Sequence, residues 1–420
     1  MLICGYQPPA APSPSLTRWL GIKPNKMTIF HITDGYDTVK YSHSVLTPVP
    51  PLCSNIPRWV FYRGQFMNIK QLLELMVKSG ASDMHLKIPN PPVLRIDGAL
   101  SRPDDLAPVT ADELVQVFNE ITTESQKERF AQEQELDFAI SVPGLARFRV
   151  NVMRQRGTLG FNFRLVPFQV LTLDMLGLPS LLGKLILKPR GLILITGPTG
   201  SGKSTTMAAM IDHLNHKRGA TVITIEDPIE YIHRDQRCVI SQRELGEDTH
   251  SFAEALRHAL RHDPDVIVVG EIRDLETVTT ALAAAETGHL VLGTLHTVNA
   301  TQTIDRIIDM YPPDQQHQIR LQMSQVLEAI VSQTLVMRAT GRGRVAALEI
   351  LLANTAVRNL LRGGQTFELN SILQLNRKSG MQTLDQDLFD LVKSKTITLE
   401  EALLKSSDPE KLEEKIKNTK

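Results

Sequence analysis

The run Gly197-Pro198-Thr199-Gly200-Ser201-Gly202-Lys203-Ser204, a complete GxxxxGK[ST], limits the fold of this chain more than any other feature. It directly follows the apolar segment Leu192 to Thr196 and directly precedes helix-like sequence from Ser204 to Leu214. A strand, a glycine loop and a helix in that order bring backbone amides together around phosphate oxygens, with a lysine for the terminal phosphates and a hydroxyl for Mg²⁺. Nucleotide contacts are therefore expected from Gly197, Pro198, Thr199, Gly200, Ser201, Gly202, Lys203, Ser204 and Thr205, with Ser204 also on the metal.

A phosphate loop of this kind needs a parallel sheet behind it, and the surrounding sequence supplies one. Leu192 to Thr196, Thr221 to Ile225, Val266 to Val269 and Leu290 to Leu295 are short apolar runs separated by helix-like segments. Strands buried on both faces and joined through helices predict a three-layer α/β core. Val266 to Val269 leads through Gly270 to Glu271, an acid at a strand end that adjacent parallel strands would set beside the loop and its metal. The usual pattern has Asp directly after the apolar run; here Glu follows a glycine. Glu226-Asp227-Pro228-Ile229-Glu230 ends the Thr221 strand and offers carboxylates, one of which could orient or deprotonate water for in-line attack on a γ-phosphorus. His289 and His296 bracket the Leu290 strand; seven residues apart on extended chain they cannot clasp one metal, and His296 is placed to sense a γ-phosphate.

Upstream, the pattern differs. Ile69, Leu72, Leu73 and Met76 mark a helix face that stops at Gly80, and Thr110-Ala111-Asp112-Glu113 is a capping box for a second helix. Leu136 to Ser141, Ala146 to Val152 and Thr158 to Val166 alternate or are β-branched, with Pro143-Gly144 and Arg156-Gly157 as turns, so an α+β domain with an antiparallel sheet is expected over residues 67–170. The α/β core is expected over 171–355 and a helical region over 356–420, with helical periodicity already running through Ile319, Met323, Val326 and Ile330 and a frayed charged end from Pro409. Residues 1–66 hold nine of the 24 prolines and no sustained period; they are read as a disordered or non-native extension, Met67 being a possible start.

Composition excludes several classes. With 46 basic and 46 acidic side chains there is no basic excess of the sort that nucleic-acid binding leaves, so no nucleic-acid partner is expected. No uncharged run reaches the roughly 20 apolar residues of a membrane helix, so no integral membrane segment is expected. Cys4, Cys53 and Cys238 are too few and too far apart for a disulfide framework or a four-cysteine zinc site, which fits a cytosolic chain.

Taken in order, six blocks resemble the secretion ATPase superfamily of type II and type IV systems, and its pilus-retraction branch most closely. They are Ala81-Ser82-Asp83-Met84-His85-Leu86, Ala146-Arg147-Phe148-Arg149-Val150-Asn151, the phosphate loop, Ile225 to Glu230, Gly270-Glu271-Ile272-Arg273-Asp274, and Glu286-Thr287-Gly288-His289-Leu290 through His296. The resemblance implies a RecA-like P-loop ATPase domain behind an N-terminal PAS-like domain, using ATP and Mg²⁺. It also implies a cytoplasmic homohexamer, peripheral to the inner membrane, that rotates a pilus platform protein in that membrane. It assigns Glu230 as the catalytic glutamate, Glu271 as the metal-side glutamate, His296 as the second histidine of its histidine block, and Arg149 and Arg164 as arginines reaching nucleotide from the N-terminal domain. The extension and type II secretion branch is the alternative, but it usually carries a longer N-terminal region and a four-cysteine insert absent here. A RecA-like nucleic-acid motor is a further alternative, disfavoured by the balanced charge. In the branch's C-terminal signature, Ala356-Val357-Arg358-Asn359-Leu360-Leu361-Arg362 is followed by Gly363 where an acid is usual.

Overall fold

Asn68 accepts a hydrogen bond from the Gln71 amide and so starts helix α1, Ile69–Lys78, which buries Ile69, Leu72, Leu73 and Met76 and ends before Gly80 at φ 67°. In the computed structural model, which describes residues 68–96, 98–103, 106–166 and 170–418, this helix begins an α+β domain. Strands β1 (Asp83–Lys87), β2 (Val93–Ile96) and β3 (Ala99–Ser101) come next, then α2 (Ala111–Ile121) and α3 (Glu124–Glu133), each opened by a capping box. Strands β4 (Glu135–Val142), β5 (Ala146–Gln155) and β6 (Thr158–Val166) complete a wholly antiparallel sheet in the order β3-β2-β1-β6-β5-β4. Period-two alternation decides its faces. Met84, Leu86, Phe148, Val150 and Phe163 join the helices in one core, while Asp83, Arg149 and Arg164 occupy the other side. The expected extension, residues 1–66, lies outside the described residues.

The second domain carries α4 (Ser180–Ile186), β7 (Gly191–Thr196), α5 (Lys203–Lys217), β8 (Thr221–Glu226), β9 (Val239–Glu244), α6 (Phe252–Ala259), β10 (Val266–Val269), α7 (Leu275–Glu286) and β11 (Leu290–Leu295). After α8 (Ala300–Asp309) and α9 (Pro313–Val326) come β12 (Leu327–Met337) and β13 (Arg344–Leu352). The seven strands run in the order β13-β12-β7-β11-β10-β8-β9, parallel throughout except for β13 at one edge. Leu192, Leu194, Ile267 and Val291 pack with Leu282, Ile304 and Met323 on one face; Ile193, Ile195, Val268 and Leu292 pack with Leu182, Met210 and Leu214 on the other. This is the three-layer α/β core that the continuous apolar strands predict. Beyond it, α10 (Thr355–Gly363), α11 (Leu369–Leu375), α12 (Leu384–Lys393), α13 (Leu399–Lys405) and α14 (Pro409–Lys417) form the helical C-terminal region.

Three elements depart from the sequence expectation. The helical step through Ile330 breaks, because α9 stops at Val326 and β12 starts at the next residue without a turn. Strand β9 extends the sheet beyond β8, although only half-exposed alternating residues announce it. The charged end is not frayed over its described part: α14 buries Leu412 and Ile416 against Phe389 and Ala402.

Candidate active site

The phosphate loop lies where β7 gives way to α5, and close approach from β12 sets its shape. Gly197 has φ 141°, and a Cβ there would sit 2.2 Å from the Gln333 carbonyl oxygen. Gly202, at φ 90°, would meet the Gln333 amide at 2.8 Å. Only glycine satisfies both the backbone conformation and the space. Lys203 donates from its ammonium to the carbonyls of Gly197 (2.7 Å) and Pro198 (3.2 Å). Burial lowers its pKa, and the nearby Glu271 and Glu230 carboxylates oppose that effect.

A cleft of about 290 Å³ opens in front of this loop, lined among others by Thr199, Gly200, Ser204, Glu230, Glu271 and His296. The parallel register explains the convergence: β8, β10, β11 and β7 end side by side, so the residues following each strand meet at one edge. Gly270 makes this possible for Glu271, since a Cβ at that position would lie 2.9 Å from the Ile225 carbonyl oxygen. The glycine that breaks the usual strand-then-acid pattern thus has a packing reason. Glu271 accepts from Arg273 at 2.6 Å and pairs with His296 at 3.0 Å, while Arg273 also reaches Asp227 at 3.6 Å. The Arg273 hydrogen bond is the chief reason that Glu271 titrates below the usual carboxylate range. Glu226 behaves oppositely: burial pushes its carboxyl up against hydrogen bonds from Thr224 (2.6 Å) and Gln242 (3.0 Å).

Not every expected residue enters the cleft. Ser201 is buried, and the Thr205 hydroxyl lies 2.9 Å from the Tyr231 hydroxyl. His289 turns away and bonds the Ala284 carbonyl at 3.0 Å, so the two histidines of that block do serve opposite ends of β11. Arg149 and Arg164 face each other across β5 and β6 on the polar face of the N-terminal sheet and do not line the cleft of their own chain. Arg164 pairs with Asp83 at 2.8 Å; Arg149 is exposed and has no ion pair among the described residues. Burial alone would raise Asp83, but hydrogen bonds from Arg164 and Ser82 outweigh it and hold the carboxyl low.

Mg²⁺ fits the donor chemistry. The cleft offers the Ser204 hydroxyl and the Glu271 carboxylate, hard oxygen ligands of the kind this ion takes one or two at a time alongside phosphate and water. Among the described residues no group of three or more His, Cys, Asp or Glu could hold a metal unaided. Two side chains at the site, Arg273 and Gln333, carry no individual motif in the sequence. Arg273 sat unassigned inside the Gly270 to Asp274 block, where its spacing of two from Glu271 was the available signal. Gln333 has no chemical signature of its own; only its β-branched neighbours Val331, Thr334 and Val336 mark the strand that carries it.

A profile described as "Type II/IV secretion system protein" matches residues 66–404. The "Type IV pilus retractation ATPase PilT" of Pseudomonas aeruginosa is 46% identical over 344 residues, spanning 82% of this chain and 99% of that one. A "Twitching motility protein" of Neisseria gonorrhoeae is 46% identical over 321 residues, covering 76% of this chain and 86% of its own. Among solved structures, the crystal structure of the pilus retraction motor PilT with bound ADP superimposes with a TM-score of 0.77 at 46% identity, over 83% of this chain and 99% of that one.

Proposed function

The chain belongs to the type II/IV secretion system protein family, and on that premise we propose that it is an ATPase that powers type IV pilus retraction and hence twitching motility. The observation that carries this reading is near full-length similarity to a retraction ATPase, combined with a phosphate loop, Glu230, Glu271 and His296 around one cleft.

Within the cleft, Lys203 leaves its loop carbonyls to neutralise the terminal phosphates, and the amides of Gly200 and Gly202 take the phosphate oxygens. Ser204 and Glu271 would hold Mg²⁺, which would spread the negative charge of the transferring group. Glu230 orients water in line with the γ-phosphorus and accepts its proton. His296, coupled to Glu271, reports whether the γ-phosphate is present. Arg149 and Arg164 stabilise the transferring phosphoryl group in a neighbouring subunit's cleft, which makes a homohexamer the working unit and domain closure part of the chemistry. The partner is an inner-membrane pilus platform protein, approached from the cytoplasmic face. No helix among the described residues is long and apolar enough to cross a membrane.

The test is complementation of cells that lack their own retraction ATPase and so accumulate surface pili. The wild-type chain restores twitching and lowers pilus number; Glu230→Gln, expressed equally and still binding ATP, does neither. Restored pilus growth in cells lacking the extension ATPase instead, with no effect on retraction, would overturn the direction assigned here.

A further inference from the structure

We infer that Gln333 is a positioning residue for nucleotide binding: its buried amide pins the Ser201 peptide so that the next N–H in the phosphate loop faces the phosphates. The inference deepens the function proposed above and rests on the loop being a nucleotide site.

Gln333 lies on β12, one residue beyond the Ser332 to Thr196 pairing that ends the β12–β7 register, and so directly beneath the start of the loop. It is only 4% exposed. Its side-chain nitrogen donates to the Ser201 carbonyl at 2.7 Å, and its side-chain oxygen accepts from the Thr206 hydroxyl at 2.8 Å. One amide therefore ties the crest of the loop to the first turn of α5. Ser332 beside it is bonded to Thr196 at 2.9 Å, which fixes the strand that presents the amide.

Peptide geometry supplies the consequence. In a trans peptide the C=O of one residue and the N–H of the next point in opposite directions. Drawing the Ser201 carbonyl down toward β12 turns the Gly202 N–H up, away from β12, where a phosphate oxygen collects it. The glycines at 197 and 202 permit this approach, since a side chain on either would strike Gln333. Without the amide, the Ser201 carbonyl is left buried and unpaired, and the peptide can relieve that cost by turning over. The loop would then present an oxygen to the phosphate in place of a hydrogen.

The experiment measures ADP affinity of the full-length protein, with Mg²⁺ present, for wild type, Gln333→Met, Gln333→Glu and Thr206→Val, alongside melting temperature and pH. Gln333→Met keeps the side chain's length without the donor; it melts near wild type and loses at least tenfold in ADP affinity at every pH. Gln333→Glu keeps the acceptor for Thr206 but sets a carboxylate oxygen against the Ser201 carbonyl. At pH 8 it loses at least tenfold; at pH 6 the buried carboxyl takes up a proton, donates to Ser201, and recovers at least threefold relative to wild type at the same pH. Thr206→Val, which removes only the other arm, changes affinity less than threefold. A well-folded Gln333→Met that binds ADP like wild type overturns the inference, as does a loss in Gln333→Glu that is the same at both pH values. Lys203→Ala separates the two readings. If wild type binds no ADP, or Lys203→Ala binds it equally, the nucleotide site itself fails; if only the Gln333 variants bind normally, the positioning role fails alone.

Discussion

His233 shows what burial does to one group beside the cleft. It lines the same cavity as Lys203, its backbone amide donates to Gln242, and desolvation lowers its pKa to about 4 from an ordinary 6.5. Between those values the unfolded chain binds a proton that the folded chain refuses, so stability falls as pH drops from 6.5 toward 4 and is unaffected by this group above 6.5. At pH 5 the loss amounts to about 2 kcal/mol. Denaturant melts at pH 7.5 and 5 for wild type and His233→Gln check this: the wild type loses more stability over that interval by about that amount, and equal losses contradict it. Site residues were legible in the sequence to the extent that their chemistry follows from local spacing. Lys203 and Ser204 follow from the loop alone, and Glu271 from an acid just past a strand. His233 and Gln333 are felt only through burial and long-range packing, which one sequence does not display. Arg149 came only from the family resemblance, and within one chain it stands away from the cleft.

Helix α10, which carries the retraction signature of the resemblance, is fastened by Arg358. That side chain donates to the carbonyls of Ser324 (2.6 Å) and Gln325 (2.9 Å) at the end of α9 and of Ala353 (3.0 Å), and it pairs with Glu328 on β12 at 3.2 Å. Lys188 pairs with the same Glu328, so the start of the ATPase sheet and the signature helix share one carboxylate. Arg358→Ala strips partly buried carbonyls and one carboxylate of their donor, an expected cost of about 2–4 kcal/mol, read as a lower denaturant midpoint at unchanged slope. A change under about 0.5 kcal/mol, the range of an ordinary surface substitution, contradicts the fastening role. The glycine after Arg362 does not undo the helix: Gly363 ends it and Gly364, at φ 70°, caps it. Most elements were legible because their periods are clean, as in α1 and β5. Strand β12 was hidden because Ile330 continues the spacing of Ile319, Met323 and Val326, and no Gly, Pro or Asn marks the change at Leu327; its β-branched run, Ile330, Val331, Thr334 and Val336, was the usable signal. Helix α14 was masked by charge, with only two of nine residues buried.

At the scale of the whole molecule, the two domains meet through the Arg147–Glu244 pair at 2.9 Å, while the arginines on the polar sheet face look outward. In the proposed ring, Arg149 and Arg164, which lie away from their own chain's cleft, complete the cleft of a neighbour. Fold class was legible at this scale because the phosphate loop and four apolar strands admit few topologies. Assembly was legible only through resemblance, since no local pattern encodes it. The most direct test is ATP turnover per subunit across a dilution series, with light scattering on the same samples and duplex DNA added in parallel. Turnover in a shared-site ring rises steeply as hexamers form and is indifferent to DNA. Full turnover in the monomer, or stimulation by DNA, would contradict a ring motor with shared sites and favour a nucleic-acid motor instead.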